Sequence, residues 1–320
     1  MNSFGNRFKV EIFGASHAPE VGVDIWGIPD SINPCDLDFS RSLARRKGGA
    51  VWTTPRVEED TPLFEDLRAD GGPIRIRFEN RNVRSGDYSG FEDIPRPGHA
   101  DFTSRIKYGR SFPGGGIFSG RMTLPLVAAG VVAQAIISPA RIGASLVEVG
   151  GVSCSDGEAV RRALNKAAEE GDSLGAVVRC LCEGLPAGLG EPFFDSLESV
   201  ISHAVFSIPG IRGIEFGDGF AAAAMRGSQH NDPFIDASGH TSKNGCGGIN
   251  GGISNGNPII FNVAVKPTST IRKTQRTFNF AEGRMTELSA GGRHDVCFAL
   301  RVPPVIEAVT AIALADFIVK

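Results

Sequence analysis

The chain lacks a dominant charge: its 320 residues carry 33 Lys plus Arg against 36 Asp plus Glu, a net charge of -3. That balance excludes a strong overall field toward nucleic acid or an anionic membrane, so a basic site has to be local. Cysteine is sparse and scattered. Cys35, Cys154, Cys180, Cys182, Cys246 and Cys297 form no CxxC pair, which leaves free, mostly buried thiols and no zinc or dithiol motif. The six histidines show no HExxH spacing, so no catalytic metal is expected. Long hydrophobic runs are lacking too: the longest, residues 124–140, is interrupted by Gln134 and Pro139. The first seven residues do not follow the basic-then-apolar pattern of a signal peptide, and the expectation is a cytoplasmic protein with no membrane partner. Apolar residues at 41% and charged residues at 22% exclude a disordered chain. No Ser- or Pro-rich linker divides the sequence, which favours one domain over residues 1–320.

Glycine is what the chain has in excess, 41 of 320 residues, about 13% against ~7% in ordinary proteins. Such usage favours tight loops in which backbone approaches backbone or ligand. Between those loops, residues 8–13, 21–26, 74–78, 177–182 and 259–265 read as strands. Residues 38–46, 124–135, 158–170, 196–206 and 305–318 read as helices, with Asp156 and Asp195 as caps for the third and fourth. The irregular alternation points to a mixed α/β (α+β) fold.

Three histidines lie in loops beside glycine or a charge: Gly14-Ala15-Ser16-His17, Pro97-Gly98-His99-Ala100-Asp101 and Gly292-Arg293-His294-Asp295. Histidine titrates near neutrality, so these loops are natural places for a general acid or base. His203 falls in a helix pattern and reads as structural. Pro113-Gly114-Gly115-Gly116 runs through Ser119 and Arg121 into a helix, and either presents free N–H groups to an anion or packs on the core. A second glycine-rich run, residues 244–256, precedes a strand and then Lys266-Pro267-Thr268-Ser269-Thr270, where a cation and hydroxyls suit phosphate or ribityl oxygens, or form an ordinary turn. Gly217 to Ala222 matches the GxGxxA fingerprint formally, but lacks the long βαβ context that a dinucleotide site needs. Arginines concentrate at Arg41, Arg45, Arg46 and Arg56, and again around Arg96 to Arg110, as solvated faces or around a polyanionic substrate.

In this order the pieces resemble the chorismate synthase family. The resemblance runs nearly end to end, from Gly5-Asn6-Arg7-Phe8 and the His17 loop, through Arg45-Arg46, Thr53-Thr54-Pro55-Arg56, Arg96 to Asp101 and Lys107-Tyr108-Gly109. It continues through Gly171-Asp172-Ser173, Pro186 to Pro192, Gly227-Ser228-Gln229, Gly251-Gly252-Ile253-Ser254, Lys266-Pro267-Thr268 and Gly292 to Asp295. It implies helices sandwiched between β-sheets, a homotetramer, and the 1,4-elimination of phosphate from the anionic small molecule 5-enolpyruvylshikimate 3-phosphate, with reduced FMN (FMNH2) as a cofactor not consumed overall. By the same resemblance His17 protonates the departing phosphate, His99 protonates or stabilises reduced FMN, and Asp295 takes the ring proton through the flavin. Ser16, Arg46, Arg96, Arg121 and Arg293 would hold substrate charge. Ser119, Gly251, Lys266, Thr268, Ser269 and Arg293 match FMN contacts. Whether an NADPH site of its own or a separate reductase supplies electrons is left open.

The chain departs from that pattern at three places. Ala15 and Ala18 flank Ser16-His17 where the family reads GESHG. An arginine expected just before Thr53-Thr54 is missing. Around the triple glycine stand Pro113, Ile117, Phe118 and Met122, so two cations and an acid are lost. A buried charge-assisted contact contributes roughly 1.5–3 kcal/mol, so Lys47, Arg105 or Arg110 are candidates to compensate. Two functional classes follow: an active, divergent synthase, or a relative that binds flavin or an anion without catalysing this step.

Overall fold

Alternating burial shapes the first half of the chain. The computed structural model describes residues 2–82, 90–292 and 294–319. Its first sheet holds β1 (Ser3–Phe4), β2 (Lys9–Gly14), β3 (Glu20–Trp26), β4 (Leu63–Asp66) and β5 (Ile74–Glu79), in the order β1-β2-β3-β5-β4. Val10, Val21, Val23, Ile25, Ile74, Ile76 and Phe78 all turn to one buried face, the period of two that a half-buried strand requires. The second sheet holds β6 (Arg141–Val149), β7 (Val152–Ser153), β8 (Ala176–Glu183), β9 (Ile211–Phe216) and, after a small hairpin of β10 (Ile249–Asn250) and β11 (Ile253–Ser254), β12 (Ile259–Val265), in the order β7-β6-β8-β12-β9. A further hairpin pairs β13 (Gln275–Asn279) with β14 (Arg284–Leu288).

Seven helices accompany these strands among the described residues: α1 (Ser40–Arg46), α2 (Asp101–Tyr108), α3 (Thr123–Ile136), α4 (Gly157–Glu169), α5 (Leu197–Phe206), the single turn α6 (Gly227–His230) and α7 (Pro303–Ile318). α3 and α7 are apolar on nearly every side because each is enclosed by protein. α3 packs on β3 and α7 on β6, and the two helices pack on each other, with α1 and α5 beside them. Gly130 makes that contact close: a Cβ there would lie 2.3 Å from Ala308 Cβ. One continuous apolar cluster runs through both sheets and the helix layer, the sandwich that the resemblance implied. The apolar length of α3 is thus used in packing.

Most expected elements appear within a residue or two. Asp156 does cap α4, accepting from Ala159 N–H at 2.9 Å. The cap expected from Asp195 is a correction: Asp195 sits in a preceding 3-10 turn, and Ser196 caps α5 through Ser199 N–H at 3.1 Å. His203 packs edge-on against Phe4, consistent with a structural role. The formal dinucleotide fingerprint lacks its βαβ context, as the sequence reading has it. Gly219–Ala224 is a short 3-10 turn with no buried residue, and every strand pair among the described residues is antiparallel, so no βαβ unit exists there to carry it.

Candidate active site

A cleft of about 760 Å³ opens where the end of α1, the Gly98-His99 turn, the triple-glycine turn, residues 206–212 and the Lys266 loop meet. Its lining carries eight cationic side chains, Arg46, Lys47, Arg56, Arg96, Arg121, Arg212, Lys266 and Arg301, against the carboxylates Glu58, Asp60 and Asp295. A chain of net charge -3 therefore concentrates positive charge in one concave place, which focuses the field on an anionic ligand.

The triple-glycine turn runs between two histidines. Gly114 and Gly115 both adopt positive φ, at 61° and 78°, a conformation glycine enters without steric cost. A Cβ on Gly114 would lie 2.3 Å from His17 Nε2, whereas one on Gly115 would lie 3.6 Å from His99 Nε2. His17 thus backs directly onto the turn that lines the cleft. Its loop is tied down mainly by neutral groups: Ser16 N–H donates to Gly116 O at 3.2 Å, the Ser16 hydroxyl to Gly114 O at 3.1 Å, and Asn80 Nδ2 to Ala15 O and Ala18 O.

His99 is held by charge instead. Its Nδ1 lies 2.7 Å from Asp101 Oδ1, which assigns the Nδ1 proton to that bond and turns Nε2 to the glycine turn. Arg96 closes a fork on the same carboxylate through Nε at 2.7 Å and Nη2 at 2.8 Å, and donates through Nη1 to Thr270 Oγ1 at 3.1 Å. Burial works to raise the Asp101 pKa, but the hydrogen bonds from Arg96 and His99 outweigh it and hold the carboxyl well below the usual carboxylate range.

Across the cleft Asp60 stands between two guanidiniums. Arg46 Nη2 donates to Oδ2 at 3.1 Å and Arg121 Nη1 to Oδ1. Asp60 itself adopts φ 56°, an uncommon state for a residue with a Cβ that Asp tolerates better than most. Burial pushes the Arg46 guanidinium down to about 10, with Asp60 pulling upward and Arg301 and Arg121 repelling. The Arg46 Nε is buried without a protein partner. Asp295 is clamped by Arg301 through Nε at 3.0 Å and Nη2 at 2.8 Å and accepts from Thr54 N–H at 2.9 Å.

Lys266 donates to Gly98 O at 2.5 Å and to Ser269 Oγ at 2.8 Å, which ties this loop to the His99 turn. Burial, then the nearby Arg212, lower its pKa. Thr268 Oγ1 beside it is buried without a protein partner. Arg46 and Thr268, both in the lining, each carry one buried polar atom that no protein group satisfies, Arg46 Nε and Thr268 Oγ1.

Of the residues singled out from the sequence, Arg46, Arg96, His99, Ser119, Arg121, Lys266, Thr268, Ser269 and Asp295 line this cleft together. His17 and Ser16 stand one backbone layer behind, and Ser16 spends its hydroxyl on Gly114 O rather than facing the cleft. Arg96 lines the cleft but commits its fork to Asp101, so it orients His99. Gly251 is not brought to the cleft: it turns the β10–β11 hairpin. Arg293 lies outside the described residues. Of the candidate replacement cations only Lys47 reaches the lining, while Arg105 donates to Glu92 O and Arg110 stacks over Phe112. Asp60, Asn80, Arg212 and Arg301 were missed. Asp60 and Asn80 meet Arg121 from 61 and 41 residues away and Arg212 is marked only by the cleft, whereas Arg301 pairs with Asp295 only six residues away, a spacing with no motif to single it out.

The comparisons with known proteins agree along the whole length. The chorismate synthase family model matches residues 8–319. The chain belongs to the chorismate synthase family. It is 55% identical over 325 residues to the chorismate synthase of Chitinophaga pinensis, covering 99% of this chain and 96% of that one. It is also 41% identical over 357 residues to the enzyme of the same name from Dehalococcoides mccartyi, covering 100% and 97%. A crystal structure of a chorismate synthase superposes with a TM-score of 0.74 at 23% identity, over 98% of this chain and 92% of that chain, which establishes the shared fold.

Proposed function

We infer that this chain is a working chorismate synthase, a carbon–oxygen lyase that removes phosphate and a ring proton from 5-enolpyruvylshikimate 3-phosphate in a 1,4-trans elimination. The finer reading adds reduced FMN, a homotetramer and a cytoplasmic, single-domain protein. The observation that carries it is the cleft, in which nine singled-out residues from five separate segments line one cationic cavity. A relative that had lost catalysis has no reason to keep Asp101 behind His99 and Arg301 behind Asp295 with paired hydrogen bonds.

The residues present suit a flavin. Lys266, Ser269 and the unpartnered Thr268 hydroxyl would hold its phosphate and ribityl oxygens, and Ile117 and Phe118 give the cleft an apolar wall for a flat ring. Reduced FMN, when bound, supplies electron density to the breaking carbon–oxygen bond and is regenerated. Arg46 and Arg121, spaced by Asp60, present cations to the substrate's anionic groups. His17, set against Gly114 behind the lining, would be the proton donor to the leaving phosphate oxygen, reached past that turn. His99 holds its proton on Nδ1 against Asp101, so Nε2 takes or gives a second one at the cleft. Asp295, fixed by Arg301 and Thr54 N–H, receives the ring proton; the carbon–hydrogen pair becomes the second ring double bond. Where the loop cations are lost, Lys47 and Arg212 still bring cationic side chains to the lining. Support for self-association comes from exposed aromatics, with Phe193, Phe194, Phe220 and Phe234 at 86%, 93%, 85% and 73% exposure.

The test is an anaerobic assay with dithionite-reduced FMN and the enolpyruvyl substrate, following phosphate and chorismate together. One-to-one release is expected. Absence of both products at saturating flavin and substrate would sink the assignment. Flavin fluorescence titration checks the cofactor loop: Lys266→Ala is expected to weaken FMN binding about 10- to 100-fold, the loss of one charge-assisted contact, and unchanged affinity removes Lys266 from the site.

A further inference from the structure

We propose that Asn80 is the positioning residue that holds the His17 loop and Arg121 in one fixed relation, so that proton donor and anion-holding guanidinium address the same substrate. The proposal rests on the reading of His17 as that donor. Asn80 stands immediately after β5 and extends its ladder, its backbone N–H donating to Pro19 O at 2.9 Å. Its side chain then faces two ways. Nδ2 donates to Ala15 O at 3.1 Å and to Ala18 O at 2.8 Å, while Oδ1 accepts from Arg121 Nε at 2.9 Å.

This use of a carboxamide is complete: both N–H groups go to one partner and the oxygen to the other. The amide orientation follows from the partners, since a reversed group would set its oxygen against two carbonyls and an N–H against the Arg121 Nε–H. The two carbonyls it grips bracket Ser16-His17, and Ala18 N–H closes the same turn on Ala15 O at 3.0 Å. Ala15 and Ala18 have no polar side chain, so neither of them can hold the loop except through its backbone. Arg56 Nη2 on Ser16 O and the Ser16 bonds to Gly114 and Gly116 hold one side. Asn80 holds the other, and it alone of these also touches a substrate-facing arginine. Arg121 is completed by Asp60 and by Glu79 O at 3.3 Å, so both ends of the relation are referred to the end of β5.

Aspartate at this position would keep the acceptor for Arg121 and lose both donors to the loop. Steady-state kinetics under anaerobic conditions would compare the wild type, Asn80→Asp, Asn80→Ala, His17→Ala and the double variant His17→Ala/Asn80→Asp, with thermal melts of each. Asn80→Asp is expected to lower kcat about 10- to 100-fold, the scale of an ångström's misplacement, with substrate KM within about twofold because Arg121 keeps its partner. Asn80→Ala is expected to lower kcat and to raise KM as well. In the His17→Ala background, Asn80→Asp should change kcat by less than about twofold, because the group it positions is gone. A purely structural asparagine would lower the melting temperature yet act equally in both backgrounds. Wild-type kcat in Asn80→Asp, or an undiminished drop in the double variant, overturns the proposal. Should Asn80→Asp not fold, the same cycle with Asn80→Ala decides it. Wild-type turnover by His17→Ala removes the donor reading itself, and this positioning role with it.

Discussion

The two histidine loops face each other across three glycines and are built on opposite principles. The His99 loop is electrostatic: imidazole, Asp101 and Arg96 form a buried chain of charge-assisted bonds, closed by Thr270. The His17 loop is mainly neutral: amide, hydroxyl and backbone carbonyl groups fix it, and its ring rests on Gly114. Charge fixes the tautomer of one ring, so its exposed nitrogen has a defined protonation role. Bonds to the backbone and hydroxyl of the other loop fix its position against Gly114.

The largest expected effect removes the rings themselves. His17→Ala and His99→Ala should each lower kcat by roughly 10²- to 10⁴-fold, the usual contribution of a general acid or base, measured in the anaerobic assay; unchanged turnover in either variant would falsify that ring's role. Next comes the charge behind His99. Asp101→Asn leaves Arg96 buried beside a neutral amide, and breaking one partner of a buried pair costs about 3–5 kcal/mol. The pH dependence follows from the depressed Asp101 pKa. A carboxyl lowered in the folded state adds stability that is fully present above its unfolded value near ~3.9 and is lost as pH falls through the folded value. Denaturant midpoints should therefore fall more steeply below about pH 4 for the wild type than for Asp101→Asn. Parallel curves would mean that Asp101 is not held ionised by its neighbours.

How much of this was legible beforehand also divides along the same line. β2, β3 and β5 of the first sheet and α4 follow from apolar spacing, because burial on one face imposes a period, and α3 and α7 follow from continuous apolar runs; β1 and β4, two and four residues long, are too short to show one. β6 escaped because Arg141 to Glu148 alternate weakly around Gly143, and α2 because Asp101 to Tyr108 carry exposed apolar groups and buried polar ones. His99 with Asp101 is visible as a local string. So is Lys266 with Ser269. Asp60 is not, since it gains Arg121 only through folding, and no local pattern distinguishes a carboxylate that will bridge two arginines from one that will face water; Arg301, six residues from Asp295, is near its partner but stands in no recognisable motif. Arg96 shows the converse: its place beside His99 was visible, its commitment to Asp101 was not. Sequence marked the groups that do chemistry more readily than the groups that aim them.

The smallest and sharpest test of the comparison is a methyl group on either side of the same turn. Gly114 and Gly115 both have positive φ, so alanine at either position meets a left-handed strain of roughly 1–2 kcal/mol. Stability alone should not tell them apart: thermal midpoints are expected to fall by a similar few degrees. Contacts do differ. The methyl introduced by Gly114→Ala would collide with His17 Nε2 at 2.3 Å, and the far end of a side chain moves more cheaply than backbone, so the ring is displaced from its place behind the turn. The methyl introduced by Gly115→Ala would meet His99 Nε2 at 3.6 Å, an ordinary contact, and Asp101 keeps that ring in place. Gly114→Ala is thus expected to lose at least about tenfold in kcat while Gly115→Ala stays within about threefold, since small misplacements of a reacting group are costly and small strains are not. Equal losses in the two variants would mean that the turn, rather than the His17 ring behind it, sets the rate.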